Sequence, residues 1–124
     1  MEENAYFTSV GKRCFYRPSG TSTAGQLARM IASALSFGRD LSCTEALVDI
    51  TGMYGFESPG ASFRRWAITL WSYTVDNKMR IAVVARAEHI CPQKTGLLVA
   101  AEEGLDANIF ETEPEALAWL DKQS

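Results

Sequence analysis

Apolar residues along the chain form short, almost unbroken runs separated by segments with helical spacing. Residues 47–50 and 80–85 are two such runs, and each is too short for a helix. Runs of this kind are typical of strands that are buried on both faces of a sheet. Residues 107–110 form a shorter run of the same type. The pattern therefore predicts two internal strands, of which 47–50 is central, and a short last strand.

Helical spacing is clearest in the segment that follows residue 23. Apolar residues recur there at i, i+3, i+4, i+7 and i+8. They are Leu27, Met30, Ile31, Ala34 and Leu35. Thr23 and Gln26 match a capping box at the start of this segment, and Gly38 is a natural C-terminal stop. The sequence predicts a first helix between these signals, with its apolar stripe in the core.

Three more helices are predicted downstream. The first runs from about residue 61 to 76. The second is bracketed by Pro92 near its first turn and by Gly104 at its end. The last begins with a capping-box pattern at residues 112–115 and continues into the C-terminal segment.

The N-terminal segment adds a hairpin to this alternation. Residues 6–10 and 13–17 are predicted as strands, with Gly11 and Lys12 forming the turn between them. From residue 23 onward helices and strands alternate, which indicates parallel strands with right-handed crossovers. The predicted fold class is α/β, with a mixed, mostly parallel sheet of about five strands and four flanking helices. At 124 residues, we expect a single domain over 1–124.

Charge and hydropathy argue against two classes of partner. The formal net charge is −3 and the pI is about 5.1, whereas nucleic-acid-binding domains carry a clustered basic surface. No stretch approaches the roughly 18–20 consecutive apolar residues of a membrane span. The first residues are acidic and polar, unlike the start of a signal peptide. We expect a cytoplasmic protein that binds no nucleic acid and has no membrane span.

The residues that usually carry chemistry do not form a recognisable motif. Cys14, Cys43 and Cys91 are widely spaced, and only His89 and Cys91 form a local pair of metal-ligating types. Zinc usually needs three or four such ligands, so no metal and no cofactor is predicted. The chain lacks a Walker loop, a G-x-G-x-x-G motif and an H-E-x-x-H motif, and Ser58 lacks the G-x-S-x-G elbow. The sequence predicts a protein that is not an enzyme.

The segment 52–60, which links the central strand to the next helix, is the first place to look for a site. It contains three glycines, and Gly60 directly precedes the helix. A loop between a parallel strand and a helix places backbone N–H donors at the carboxyl edge of the sheet. Arg64 and Arg65 lie in the first turns of that helix and could assist an anion bound there. Alternatively, the arginines pair with acidic side chains or face water.

A crevice is predicted where the loops after residues 50, 85 and 110 meet. In open parallel sheets, ligands bind beyond the carboxyl ends of the strands. The predicted lining combines aromatic and polar side chains. Its members are Tyr54, Phe56, Ser58, Arg86 and His89. For His89, the alternative is a surface residue with satisfied hydrogen bonds.

The order of elements, the strand at 47–52 and the segment Phe56-Glu57-Ser58-Pro59-Gly60 before a helix resemble the anti-sigma-factor-antagonist (STAS) fold. The run at 104–120 is similar to that of uncharacterised bacterial STAS-like proteins, which share a superfamily with Sec14-type lipid-binding domains. The resemblance covers nearly the whole chain and implies a regulatory role through this loop. In antagonists the loop carries a phosphorylated serine, and Pro59 stands at that position here. The resemblance therefore implies the location of the loop without its phosphorylation.

The helix at 61–76 has apolar residues around much of its circumference. One stripe, predicted to pack on the sheet, consists of Phe63, Trp66, Ala67, Leu70 and Thr74. Ile68, Trp71 and Val75 lie well outside this stripe. Either the neighbouring helix covers Trp71, or these three residues form an exposed strip that joins two copies in a two-fold dimer.

Two kinds of function are compatible with these features. The first is a regulatory or protein-interaction module that acts through the loop 52–60 and the helix after it, with another protein or a second copy as partner. The alternative is a binder of a small apolar, amphipathic or anionic ligand in the crevice. The aromatic residues favour the second function if they are not simply core. They are Tyr54, Phe56, Phe63, Trp66, Trp71 and Tyr73.

Overall fold

The computed structural model describes residues 6–57, 60–76, 78–90 and 100–122. The strands are β1 (Phe7–Val10), β2 (Arg13–Tyr16), β3 (Ser19–Thr21), β4 (Glu45–Asp49), β5 (Gly52–Tyr54), β6 (Arg80–Val84) and β7 (Ala107–Phe110). The helices are α1 (Ala24–Asp40), α2 (Ala61–Val75), α3, of which residues 100–103 are described, and α4 (Glu113–Lys122). A single 3-10 turn, Ala87–His89, follows β6.

Five of the strands form one sheet in the order β1-β2-β4-β6-β7. The hairpin pair β1 and β2 is antiparallel, and every other neighbouring pair is parallel. This arrangement confirms the predicted mixed, mostly parallel α/β fold with four helices. The strands β3 and β5 form a separate parallel pair, where the sequence predicted only turns. Three-residue strands are too short to give a periodic signal.

The sheet is covered on both faces, as the apolar runs predicted. Successive residues of a strand point to opposite faces. Ala46 and Val48 of β4 therefore pack with α1, α2 and the end of α3, whereas Leu47 packs on the other face with α4. The helices α1 and α2, which connect successive parallel strands, thus share one side of the sheet, and α4 lies on the other side.

Helix α1 begins as predicted but ends later. The Thr23 side chain accepts from the Gln26 N–H, and the Gln26 side chain accepts from the Thr23 N–H, which confirms the capping box. The prediction that Gly38 ends the helix is wrong, because α1 continues to Asp40. A Cβ at Gly38 would lie 2.8 Å from Cys14 Sγ. Gly38 is therefore a position where the helix backbone closely approaches β2.

Helix α2 is rotated relative to the predicted packing. Its buried residues are Ala67, Ile68, Ser72 and Val75, whereas Trp66 is 40% and Tyr73 78% exposed. The predicted stripe is therefore wrong for Trp66, whereas its member Ala67 is buried as predicted.

The predicted exposed strip of Ile68, Trp71 and Val75 is also wrong. Ile68 is 9% and Val75 0% exposed, and the half-buried Trp71 donates from Nε1 to the Ala28 carbonyl at 3.0 Å. The physical reason is that α1 packs alongside α2 and covers these residues. The first of the two alternatives, coverage by the neighbouring helix, is the one that the structure shows.

Helix α4 is attached to the sheet at both ends by arginines. At its start, Arg17 donates two hydrogen bonds to Glu113, at 2.8 and 2.9 Å. At its end, Arg80 donates to the Leu120 carbonyl at 3.1 Å and stacks over the Trp119 ring at 4.1 Å. An arginine near a helix C-terminus satisfies carbonyls that have no partner within the helix. Polar contacts therefore fix the orientation of α4 around its buried Ala116 and Leu120.

Asp49, at the end of β4, also contributes to the attachment of α4 to the sheet. Asp49 Oδ1 accepts from the Thr51 N–H at 2.9 Å and from the Thr51 hydroxyl at 2.6 Å. Burial, followed by a hydrogen bond with Glu113, raises the pKa of Asp49. The hydrogen bonds from Arg17 lower the pKa of Glu113 to about 2. The carboxyl end of the central strand is thus tied to the start of α4.

The close approach between α1 and β2 at Gly38 predicts that replacement of this glycine by alanine destabilises the protein. In an exposed helix, glycine-to-alanine replacement stabilises by up to about 1 kcal/mol. At Gly38 the new Cβ would meet the buried Cys14 sulfur, so we expect Gly38→Ala to lower the free energy of unfolding by about 1–3 kcal/mol. Urea denaturation followed by circular dichroism measures the change.

Gly25 in the same helix supplies the matched control. Nothing lies within 4 Å of a Cβ added at Gly25, so Gly25→Ala should leave stability unchanged or raise it. If Gly38→Ala stabilised the protein as much as Gly25→Ala does, the close contact between α1 and β2 would be disproved.

Candidate functional site

A cavity of about 140 Å³ lies between the sheet and the helices α1 and α2. Its walls consist almost entirely of carbon atoms. Side chains from α1, α2, β6 and β7 contribute most of the wall. Among them are Leu27, Ile31, Ile68, Trp71, Val83 and Ile109. Water needs two to four polar partners to occupy a site, so a cavity of this composition favours apolar contents.

The cavity exists because small residues meet across the layer between helices and sheet. Five of its lining residues are alanines, which come from α1, α2, the end of β6 and β7. They are Ala24, Ala28, Ala67, Ala85 and Ala107. Protein interiors are otherwise close-packed, so small side chains on facing elements leave space that the larger neighbours do not fill. These alanines are visible in the sequence, but only the assembled fold shows that they face one another.

His89 is one of three polar residues, with Arg64 and Asn108, among the described residues that line the cavity. It is 6% exposed, and its ring stacks on Phe56 with the centroids 4.4 Å apart and the planes inclined by 23°. Its Nδ1 atom is buried, and none of the residues that the structure describes gives it a hydrogen-bond partner. Buried polar atoms are nearly always paired in native proteins, so this atom needs an explanation.

The backbone of His89 is fixed by two hydrogen bonds. The His89 N–H donates to the Arg86 carbonyl at 2.8 Å within the 3-10 turn. The Arg64 guanidinium, which also lines the cavity, donates to the His89 carbonyl at 3.1 Å. The end of β6 and the first turns of α2 thus hold the imidazole at one edge of the apolar space.

The structure places three of the residues predicted for the site on this cavity: Phe56, Arg64 and His89. Two others, Tyr54 and Arg86, lie together elsewhere. The Arg86 guanidinium lies 4.5 Å over the Tyr54 ring and donates to the Met53 carbonyl at 2.8 Å. Within the described part of the chain, the buried Arg86 Nε atom has no hydrogen-bond partner.

The predicted anion site at the start of α2 is only partly assembled. Arg65 forms an exposed ion pair with Glu102 at 2.9 Å, which corresponds to the acid-paired alternative. Gly60 is the N-cap of α2 and makes no side-chain hydrogen bond there. Ser58 lies outside the described residues. The bound anion itself stays a prediction.

Sequence reasoning found the polar edge of the site but missed most of its walls. Ile50, Ile31 and Ala28 were expected to be ordinary core or were not singled out. Trp71 and Ile68, predicted for an interface, line the cavity instead. The predicted crevice therefore extends inward from the carboxyl edge, beneath α2.

The described residues hold no group of three or more histidine, cysteine or acidic side chains placed to bind a metal. Of the cysteines in that part of the chain, Cys14 and Cys43 are both buried. Burial, together with the neighbouring Cys43 thiol, raises the pKa of Cys14 to about 12, so this thiol is protonated at neutral pH. Within the same residues, no helix is long and apolar enough to cross a bilayer.

The chain has no recognisable relative in three kinds of comparison. No protein-family model, no curated protein and no solved structure matches it. Its function therefore has to be argued from the geometry of the cavity and of the surface.

Proposed function

We propose that this protein binds a small, mostly apolar molecule in the cavity between the sheet and the helices α1 and α2. The observation that carries the proposal is the cavity itself, about 140 Å³ of space with walls of carbon. Ligand pockets are mostly apolar and contain a few placed polar groups. His89 and Arg64 are such groups on this wall.

The cavity is partly open to solvent, and its lining atoms lack contact partners on that side. A ligand that fills the space restores the lost dispersion contacts and gains from its own removal from water.

The volume limits the ligand to about one ring or a short branched chain. Engineered cavities of about 150 Å³ with aliphatic and aromatic walls bind benzene and xenon. A fatty acid or phospholipid chain would need considerably more space. The proposed ligand is therefore a small molecule, and long-chain lipids are not included in the proposal.

Binding without turnover fits the groups on the wall. Nucleophilic catalysis requires a nucleophile, a base within hydrogen-bond reach and a group that orients the base. Among the described residues that line the cavity, the polar side chains are His89, Arg64 and Asn108, and no serine, cysteine or carboxylate accompanies them.

The proposal predicts that toluene stabilises the protein. Toluene bound only to the folded state raises the melting temperature in a concentration-dependent manner, because ligand binding shifts the folding equilibrium by mass action. Ala67→Leu places extra carbons inside the cavity and should abolish most of this shift. Ala118→Leu makes the same change at an exposed position of α4 and should leave the shift intact.

Calorimetry in sealed cells, with and without toluene, measures these melting temperatures. A wild-type protein that toluene does not stabilise would contradict the proposal. Equal stabilisation of wild type and folded Ala67→Leu protein would also contradict it, because the ligand would then bind elsewhere.

A second candidate function, a STAS-like protein-interaction module, is supported by a different surface. Trp66 and Tyr73 are exposed on the outer side of α2, and Tyr54 is exposed on β5, which belongs to the predicted loop segment. Exposed aromatic residues are enriched in protein interfaces. We propose a second copy of the chain as the partner, with the outer side of α2 in place of the strip that was predicted from the sequence.

This candidate predicts a dimer that depends on the outer side of α2. Trp66→Asp combined with Tyr73→Asp should convert the dimer to a monomer in sedimentation velocity, with the circular dichroism spectrum unchanged. Leu41→Asp, which changes another exposed apolar residue, is the control and should remain dimeric. A wild-type protein that is monomeric at high concentration would rule this candidate out.

A further inference from the structure

We infer that the ligand of the cavity is a single aromatic ring, which the cavity selects over a saturated ring with the same number of carbon atoms. The inference rests on the proposed function and adds the chemical class of the ligand. It is carried by the aromatic side chains among the residues that line the cavity. They come from two segments: Phe56 follows β5, and Phe63 and Trp71 belong to α2.

The aromatic surface belongs to the wall itself. The walls consist almost entirely of carbon atoms, so a ligand can contact these side chains without reaching any buried polar atom. Phe56 and Trp71 also pack against the buried core on this side of the sheet. The rings are therefore placed both to support the fold and to contact a molecule in the cavity.

Neighbouring groups fix the positions of the rings. Phe56 is stacked on the buried imidazole of His89, with the centroids 4.4 Å apart. The Trp71 indole donates from Nε1 to the Ala28 carbonyl at 3.0 Å. The Phe63 ring lies 5.4 Å from the Trp66 ring, with the planes inclined by 55°. Side chains that are already ordered lose little freedom when a ligand binds, which is the advantage of a preorganised site.

Aromatic walls distinguish an aromatic ligand from a saturated one. An aromatic ring has a negative face and a positive edge, so two such rings attract each other in offset-stacked or edge-to-face arrangements. This attraction adds about 2–10-fold to an affinity for each pair of rings, beyond the effect of the buried area. A saturated ring carries hydrogen over its whole surface and lacks this attraction.

The other wall residues do not make this distinction. Leu27, Ile31 and Ile68 are examples of the aliphatic part of the wall. They gain dispersion contacts with a saturated and an aromatic ring alike, so they contribute to the affinity for both. The choice between the two kinds of ring therefore depends on the aromatic side chains.

The first test compares toluene with methylcyclohexane, which have the same number of carbon atoms in the same connectivity. Headspace gas chromatography above solutions of the full chain measures the binding of both volatile molecules, for wild type, Phe56→Leu and Phe63→Leu. Leucine keeps the wall apolar but removes a ring. We expect the ratio of toluene affinity to methylcyclohexane affinity to fall about 2–10-fold in each variant. The ratio cancels the different hydrophobicities of the two molecules, which are the same for every variant.

Tyr73→Leu and Ile68→Val are the controls. Tyr73 is 78% exposed on α2, so its replacement makes the same kind of change away from the cavity. Ile68→Val changes the shape of the wall without loss of a ring. Both should leave the ratio as in wild type. A fall in the ratio for Ile68→Val as large as for the phenylalanine variants would contradict the inference, because shape alone would then explain the selection.

The outcomes separate the inference from the proposed function. If toluene binds wild type but the ratio is unchanged in both phenylalanine variants, the inference is wrong and the proposed function stands. If neither molecule binds wild type, both fail.

A second measurement needs no variant and therefore does not depend on the folding of one. The association constant of each molecule with wild type is divided by its partition coefficient between hexadecane and water, which removes the contribution of transfer from water. The corrected value should be about 2–10-fold larger for toluene than for methylcyclohexane. A corrected value for methylcyclohexane that equals or exceeds that of toluene would overturn the inference.

Discussion

The hydrogen bond from Trp71 Nε1 to the Ala28 carbonyl joins α1 to α2, and the proposed site lies between these helices and the sheet. A half-buried indole is a large side chain that needs a partner for its N–H group, and the α1 backbone supplies it. The bond positions a bulky residue at the junction of the two helices, while Ala28 and Ala67 remain small on either side. The cavity lies in the space that these alanines leave above β6 and β7.

The two faces of the sheet are stabilised in different ways. On one face, α4 is oriented by charged contacts at both ends, with Arg17 at its start and Arg80 at its end. On the other face, α1 and α2 pack largely through apolar contacts, and Trp71 supplies a polar bond between them. The cavity lies on this second face, and the guanidinium of Arg64 on its wall donates to the His89 carbonyl.

The arrangement of strands and helices was largely predictable because its signals are local. The capping box at Thr23 and the short apolar runs depend on neighbouring residues only, and both predictions are confirmed. The orientation of α2 was not predictable from its own sequence. Its apolar residues surround most of the helix, so only the position of α1 decides that Ile68 is buried and Trp66 exposed.

The candidate site was partly predictable for a related reason. His89, Phe56 and Arg64 follow strand ends or begin a helix, and parallel topology brings such segments to one edge of the sheet. The cavity behind them depends on the sizes of side chains that are far apart in sequence, such as Ala28 and Ala107. A single sequence does not show which of these distant residues face each other. The pocket therefore became evident only when the elements were assembled.

The central claim is that an open apolar space exists inside the domain, beside His89. Crystals of the protein placed under xenon pressure test this claim directly, because xenon enters dry cavities and scatters X-rays strongly. The account predicts an anomalous density peak between Ile31, Ile68 and Val83, which line the space from α1, α2 and β6. Side chains that close over this position, with no xenon peak between them, would contradict it.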